Sequence, residues 1–165
     1  MIDQIINLHL RINKPVVQNK MYSDFILFLP RFVCGFLLAK DFGADKFGMP
    51  WSPEHLNLGL FEVAYWFPDD VANYGGVFAL FPAFFAWMGA FSEAVGGILL
   101  AIGFKTRIAA FLIVCTMLVA IFGQKWGQGV WGMLPAMGFL WVALYSLVLG
   151  SGRFGLDYVI DKKWR

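Results

Sequence analysis

Four runs of apolar residues between Phe25 and Leu149 constrain this chain more than any other feature. The first is "FILFLPRFVCGFLLAKDFGA" at 25–44, followed by runs at 82–102, 108–123 and 130–149. Three of them reach the roughly 20 residues that a helix needs to cross hydrocarbon, and the third run is shorter. In lipid an open segment must satisfy its own backbone N–H and C=O groups, which a helix does and a lone strand cannot. The expected fold is therefore all-α, an integral membrane four-helix bundle. With 59% apolar and 15% charged residues, the chain has too little charge to clothe a soluble core. Eighteen Phe and seven Trp suit lipid-facing helices and their interfacial ends. Pro30 and Pro135 lie inside the first and fourth runs, where kinks are expected.

Charge is informative once it is divided by side. Arg11, Lys14, Lys20, Lys105, Arg107, Arg153, Lys162, Lys163 and Arg165 fall on the side of the N-terminus, whereas Lys40, Lys46 and Lys125 fall opposite. The positive-inside rule then places both termini and the 103–107 connector of a multi-pass chain in the cytoplasm, and the 41–81 and 124–129 segments outside. Residues 21–40 imitate a signal peptide, but no small-residue cleavage site follows, so the segment is expected to be retained. A net charge of +2 without a basic stretch interleaved with aromatics excludes nucleic acid as a partner.

Residues 49–81 are apolar but interrupted by Glu54, Glu62, Asp69 and Asp70. Ser52 before Pro53 resembles a helix start, and Leu56, Leu60, Ala64 and Phe67 follow at helical spacing. An interfacial helix capping the bundle is expected there. No repeat divides the chain, and residues 1–165 are expected to form a single domain.

Glu93 stands near the middle of an otherwise apolar run, a costly place for a carboxylate unless it is paired, protonated or facing a polar cavity. Arg31 interrupts the first run. Counted from the cytoplasmic ends of their runs, Arg31 lies ~10 Å deep and Glu93 ~15 Å deep at about 1.5 Å per residue. A bidentate pair between them, lining a polar pocket or acting only as a strut, is expected. Gly89, Gly96 and Gly97 offer small surfaces for close helix approach.

Three segments, "GADKFG", "EAVGGILLAIGFKTRIAAF" and "GSGRFGLDYVI", make the chain resemble the DoxX family of small four-helix bacterial and archaeal membrane proteins. Residue by residue, the resemblance singles out Arg31, Gly43, Lys46, Glu93, Gly96, Gly97, Gly103, Arg107, Gly152, Arg153 and Asp157. Where many relatives have a His before the Gly-x-x-Lys, this chain has Phe42. The family name comes from a membrane subunit associated with archaeal thiosulfate:quinone oxidoreductase. The resemblance thus implies a non-autonomous subunit of a quinone-linked redox complex, with Arg31 and Glu93 holding a pocket and Lys46 at its mouth. The alternative is a non-enzymatic assembly factor or permease-like binder of small molecules.

Neither a metal site nor a covalently bound cofactor is expected; quinone is the ligand class implied. His9 and His55 lie outside all four runs, Met133 and Met137 are spaced for packing, and Cys34 and Cys115 belong to no C-x-x-C motif. Lipid is one partner, and a redox or membrane protein, in a hetero- or homo-oligomer, is another.

Overall fold

The computed structural model describes residues 2–164; Arg165, counted above among the basic residues, lies outside them. Among the described residues the chain is helical, and its sole extended pairing is an isolated bridge between Phe47 and Val63. Helix α1 (Ile2–Ile12) precedes α2 (Met21–Leu37), which runs on through a first π turn at Leu38–Gly43. After a short 3₁₀ turn at Glu54–Leu56 come α3 (Phe67–Ala72) and α4 (Gly76–Leu80). Helix α5 (Pro82–Phe91), a second π turn (Ser92–Gly96) and α6 (Gly97–Ile102) follow, then α7 (Thr106–Val119) with a third π turn (Ala120–Lys125). A 3₁₀ turn at Trp126–Gln128 leads into α8 (Gly129–Leu149), and α9 (Leu156–Trp164) ends the described chain.

Two helical stretches are long and apolar enough to cross a membrane: Pro82–Ile102, of 21 residues, and Thr106–Leu149, of 44. The second is a hairpin, because α7 and α8 pack on each other more extensively than any other two elements. Ala110, Ile113 and Met117 of α7 meet Phe139, Val142 and Ala143 of α8 in one buried cluster with Leu38 and Leu100. The third and fourth apolar runs therefore correspond to its two legs.

A second cluster explains the other face of the 82–102 helix. Ala86, Ala90 and Ala94 recur every fourth residue, so they form one smooth stripe, and Phe47, Phe67 and Val71 pack onto it. These residues come from the segment after α2, which holds α3 and α4 but forms no continuous helix over the expected Leu56–Phe67 stripe. Asn57 and Phe61 take positive φ angles of 46° and 63°, ending the 3₁₀ turn and breaking the Leu56–Leu60–Ala64–Phe67 stripe. Leu60 is exposed whereas Ala64 and Phe67 are buried. Ser52 does not cap a helix; its hydroxyl donates to Phe47 O (2.6 Å) and accepts from Met49 N (2.9 Å). Residues 46–64 instead double back as a clip, with Gly48 N donating to Glu62 O (2.8 Å) and Ala64 N to Lys46 O (2.9 Å).

Close approach sets the register of α2 against the 82–102 helix. A Cβ on Gly43 would lie 2.5 Å from the Ala94 backbone, and one on Gly97 would lie 2.7 Å from Gly35 O. Gly96, its neighbour, faces Ile113 with a Cβ position 3.6 Å away, which is ordinary contact. The adjacent glycines thus separate in effect. Gly97→Ala is expected to destabilise the detergent-solubilised protein by about 1–3 kcal/mol through overpacking. Gly96→Ala is expected to stay within about 0.5 kcal/mol of wild type, as substitutions without a strained contact do. Thermal unfolding of the two variants side by side checks this.

Candidate functional site

The three π turns occupy comparable positions toward the end of the bundle that carries the clip. The first packs on the second, and the second on α7. A π turn widens a helix and leaves its carbonyls and side chains out of α register, and such turns are frequent at functional sites. Phe42, Glu93, Ala120 and Gln124 belong to these turns.

Glu93 is 5% exposed. Its Oε2 lies 2.5 Å from Lys46 Nζ. Lys46 reaches it because the first π turn brings Gly43 onto Ala94 and the clip then holds the Lys46 backbone. The ammonium also lies 5.3 Å from the Phe67 ring centroid, within cation–π range.

Arg31 is not the partner of Glu93. Gly35 lies against Gly97 and Ala101, and Gly43 against Ala94, so Arg31 falls about twelve residues, or ~18 Å along the helix, from the level of Glu93. Depth along the apolar runs alone puts the two within reach; the packed glycines separate them. Arg31, 1% exposed, instead donates to carbonyls. Nη1 bonds Leu100 O and, at 3.4 Å, Ala101 O, while Nη2 bonds Ser151 O at 3.3 Å and Phe154 O at 3.0 Å. It thereby supplies donors to carbonyls in the last turn of α6, where Leu100 O otherwise accepts only a long bond from Gly103 N (3.3 Å).

Gly103, Arg107, Gly152, Arg153 and Asp157 gather at that same end, remote from Glu93. Asp157 accepts from Lys105 N (2.9 Å), Thr106 N (2.9 Å) and Thr106 Oγ1 (2.7 Å), capping α7 from a distant helix, and lies 3.3 Å from His9 Nε2. Arg153 Nε pairs with Asp24 Oδ2 at 2.7 Å, and a Cβ on Gly152 would meet Asp24 Oδ1 at 3.2 Å. Arg107 Nη2 donates to Val148 O at 3.0 Å. Gly103 has φ +70° and no space for a side chain, since a Cβ would lie 2.8 Å from Arg31 Nη1. This end is a lock that joins both terminal segments to the bundle.

Among the described residues, two cavities border the Lys46–Glu93 pair. One, of about 250 Å³, is walled by Phe67, Tyr74, Phe78, Phe84 and Phe85 with Met88. The other, of about 300 Å³, lies among the first π turn, α7 and α8. Lys46, Glu93, Ala120 and Gln124 line both, so the ion pair stands at their junction. Ser92 Oγ also borders the first cavity; it is buried and has no hydrogen-bond partner among the described residues. Burial, together with the carboxylates of Asp70 and Glu93, pushes the Tyr74 phenol above its ordinary range, so it remains a hydroxyl donor at neutral pH. Cys115 lines the same cavity, and Cys34 sits apart from it; both thiols are free.

Residues 27–126 match the family model for DoxX. The chain belongs to the DoxX family. No curated protein and no solved structure matches it. The DoxX match contains all three π turns, Lys46, Glu93 and Arg31, whereas α8, α9 and the Gly152, Arg153 and Asp157 lock lie beyond it. As a DoxX member the protein is a membrane protein in contact with lipid, and Ile26, Leu80, Trp141 and Val148 are among its exposed apolar residues. Phe42, the departure noted in this DoxX sequence, lines the second cavity and packs edge-on against Phe139 at 5.3 Å. The cavity aromatics of the DoxX site went unread in the sequence, although Phe67, Val71, Tyr74 and Phe78 recur there at i, i+4, i+7 and i+11.

Proposed function

We propose that this DoxX protein is a four-helix, quinone-binding subunit of a redox complex in the bacterial inner membrane, with both termini in the cytoplasm. The observation that carries the reading is a buried ion pair at one end of a cavity walled by aromatic rings. A quinone suits both parts. Its ring stacks among Phe67, Phe78 and Phe85, and a carbonyl oxygen accepts a hydrogen bond from the Lys46 ammonium. When the ligand is the quinol, its hydroxyl donates to the Glu93 carboxylate. Tyr74 supplies a second donor. The electrons pass to or from a partner subunit, and this chain binds and orients the ring.

A second reading, that the pair is a strut in an assembly factor, draws support from the 2.5 Å contact, which satisfies both charges without a ligand. The test is duroquinone binding, followed by tryptophan quenching, for wild type and for Lys46→Met/Glu93→Gln. Removing both charges together avoids leaving either one buried alone, which is the damaging change. The ligand reading expects the double variant to keep its melting temperature and to bind at least about tenfold more weakly, a loss of about 1.4 kcal/mol. If the wild type does not bind and the variant merely melts earlier, the pair is a strut.

A further inference from the structure

The two cavities that meet at the ion pair differ in character. In the second, Lys46, Glu93 and Gln124 belong to the wall shared with the aromatic cavity. Apart from Lys125, the lining it does not share is apolar: Leu38, Phe42, Met117, Pro135, Ala136 and Phe139 with Gly132. Phe42 is 39% exposed and Pro135 is exposed, so this cavity opens toward lipid between the first π turn and α8. In a bilayer an apolar space of this size forfeits dispersion contacts unless something apolar fills it. Lys125 aside, a free polar head would find its partners at the shared wall.

We propose that the second cavity holds the apolar tail of the same ligand whose ring occupies the aromatic cavity. The ligand class is thereby narrowed to ring-headed amphiphiles with an unbranched or prenyl-like chain. The head lies at Lys46 and Glu93, and the tail passes Ala136 and Phe42 into the bilayer. The inference rests on the quinone-binding reading and adds to it the requirement for a tail. The shared wall identifies the occupant: a lipid acyl chain would fill the cavity too, but the cavity ends on Lys46 and Glu93, the two charged residues that also line the aromatic cavity.

The test compares duroquinone, which has no tail, with decylubiquinone, using concentrations in the detergent phase so that partitioning of the tail cancels. Wild type is expected to bind decylubiquinone about tenfold more tightly than duroquinone. Ala136→Phe, which fills the second cavity, is expected to bring the two Kd values to within about twofold while leaving that for duroquinone unchanged. Phe42→Asn, at the exposed rim, is expected to shift preference in the same direction and decides the matter should Ala136→Phe fail to fold. Equal affinity of the two probes for wild type overturns the proposal. So does a variant that weakens both equally or neither, which is the result expected for a cavity filled by a lipid chain. Failure of wild type to bind either probe overturns the quinone reading itself, and the tail site falls with it.

Discussion

Arg31→Met is expected to lower the unfolding free energy of the detergent-solubilised protein by about 3–6 kcal/mol, from about 1.5–3 kcal/mol for each of two well-formed hydrogen bonds to a charged group. Those bonds are the ones to Leu100 O and Phe154 O; the contacts to Ala101 O and Ser151 O are longer and add less. Methionine fills similar space but offers no donor, so carbonyls at the end of α6 and in the 151–154 turn lose a partner away from water. Arg31→Lys is expected to fall between, because one ammonium cannot span both groups as the guanidinium fork does. A double-mutant cycle separates this arrangement from the pair suggested by the sequence. Arg31 and Glu93 share no partner, so Arg31→Met and Glu93→Gln are expected to add to within about 0.5 kcal/mol. Coupling of about 2 kcal/mol or more would restore the Arg31–Glu93 contact.

Asp157→Ala is expected to have a comparable effect. Its carboxylate is buried and accepts from two backbone N–H groups and a hydroxyl at the start of α7. Deleting it leaves buried donors without an acceptor, at about 1–3 kcal/mol each, and removes a negative charge from a helix N-terminus. A loss of about 3–5 kcal/mol follows, since the Lys105 site is only part-buried. Asp157→Asn keeps one acceptor and is expected to lose about half as much. Chemical unfolding in detergent, with wild type measured alongside, reads all three proteins. An unchanged midpoint for Asp157→Ala would mean that Lys105 and Thr106 find other acceptors.

The positions of the helices were legible because hydropathy over some twenty residues is a strong signal. The runs at 82–102 and 130–149 coincide with helical segments to within a residue. Glu93 was legible as an anomaly for the same reason. Its partner was not, because helix depth counted from an apolar run is uncertain by a turn or two, whereas partner choice depends on register. Register here is fixed by Gly35 on Gly97 and Gly43 on Ala94, contacts that a sequence shows only as small residues. The 49–81 segment failed differently. A helical period at Leu56, Leu60, Ala64 and Phe67 competed with Asn57 and Gly59, and the turn residues prevailed because the clip pairs Gly48 with Phe61 and Glu62. The stripe that does matter begins at Phe67, where the other ended.

The lock around Arg31 and Asp157 also imposes an order on the making of the protein. Arg31 takes partners 120 and 123 residues further along the chain, and Thr106 takes its cap from 51 residues further on. A ribosome makes α2 and the 82–102 helix well before Ser151, Phe154 or Asp157 exists. Until then a guanidinium and the start of α7 wait with their hydrogen bonds borrowed from water or headgroups. Completion of the bundle is therefore a late event in biogenesis, in which α9 closes what the earlier helices have already brought together.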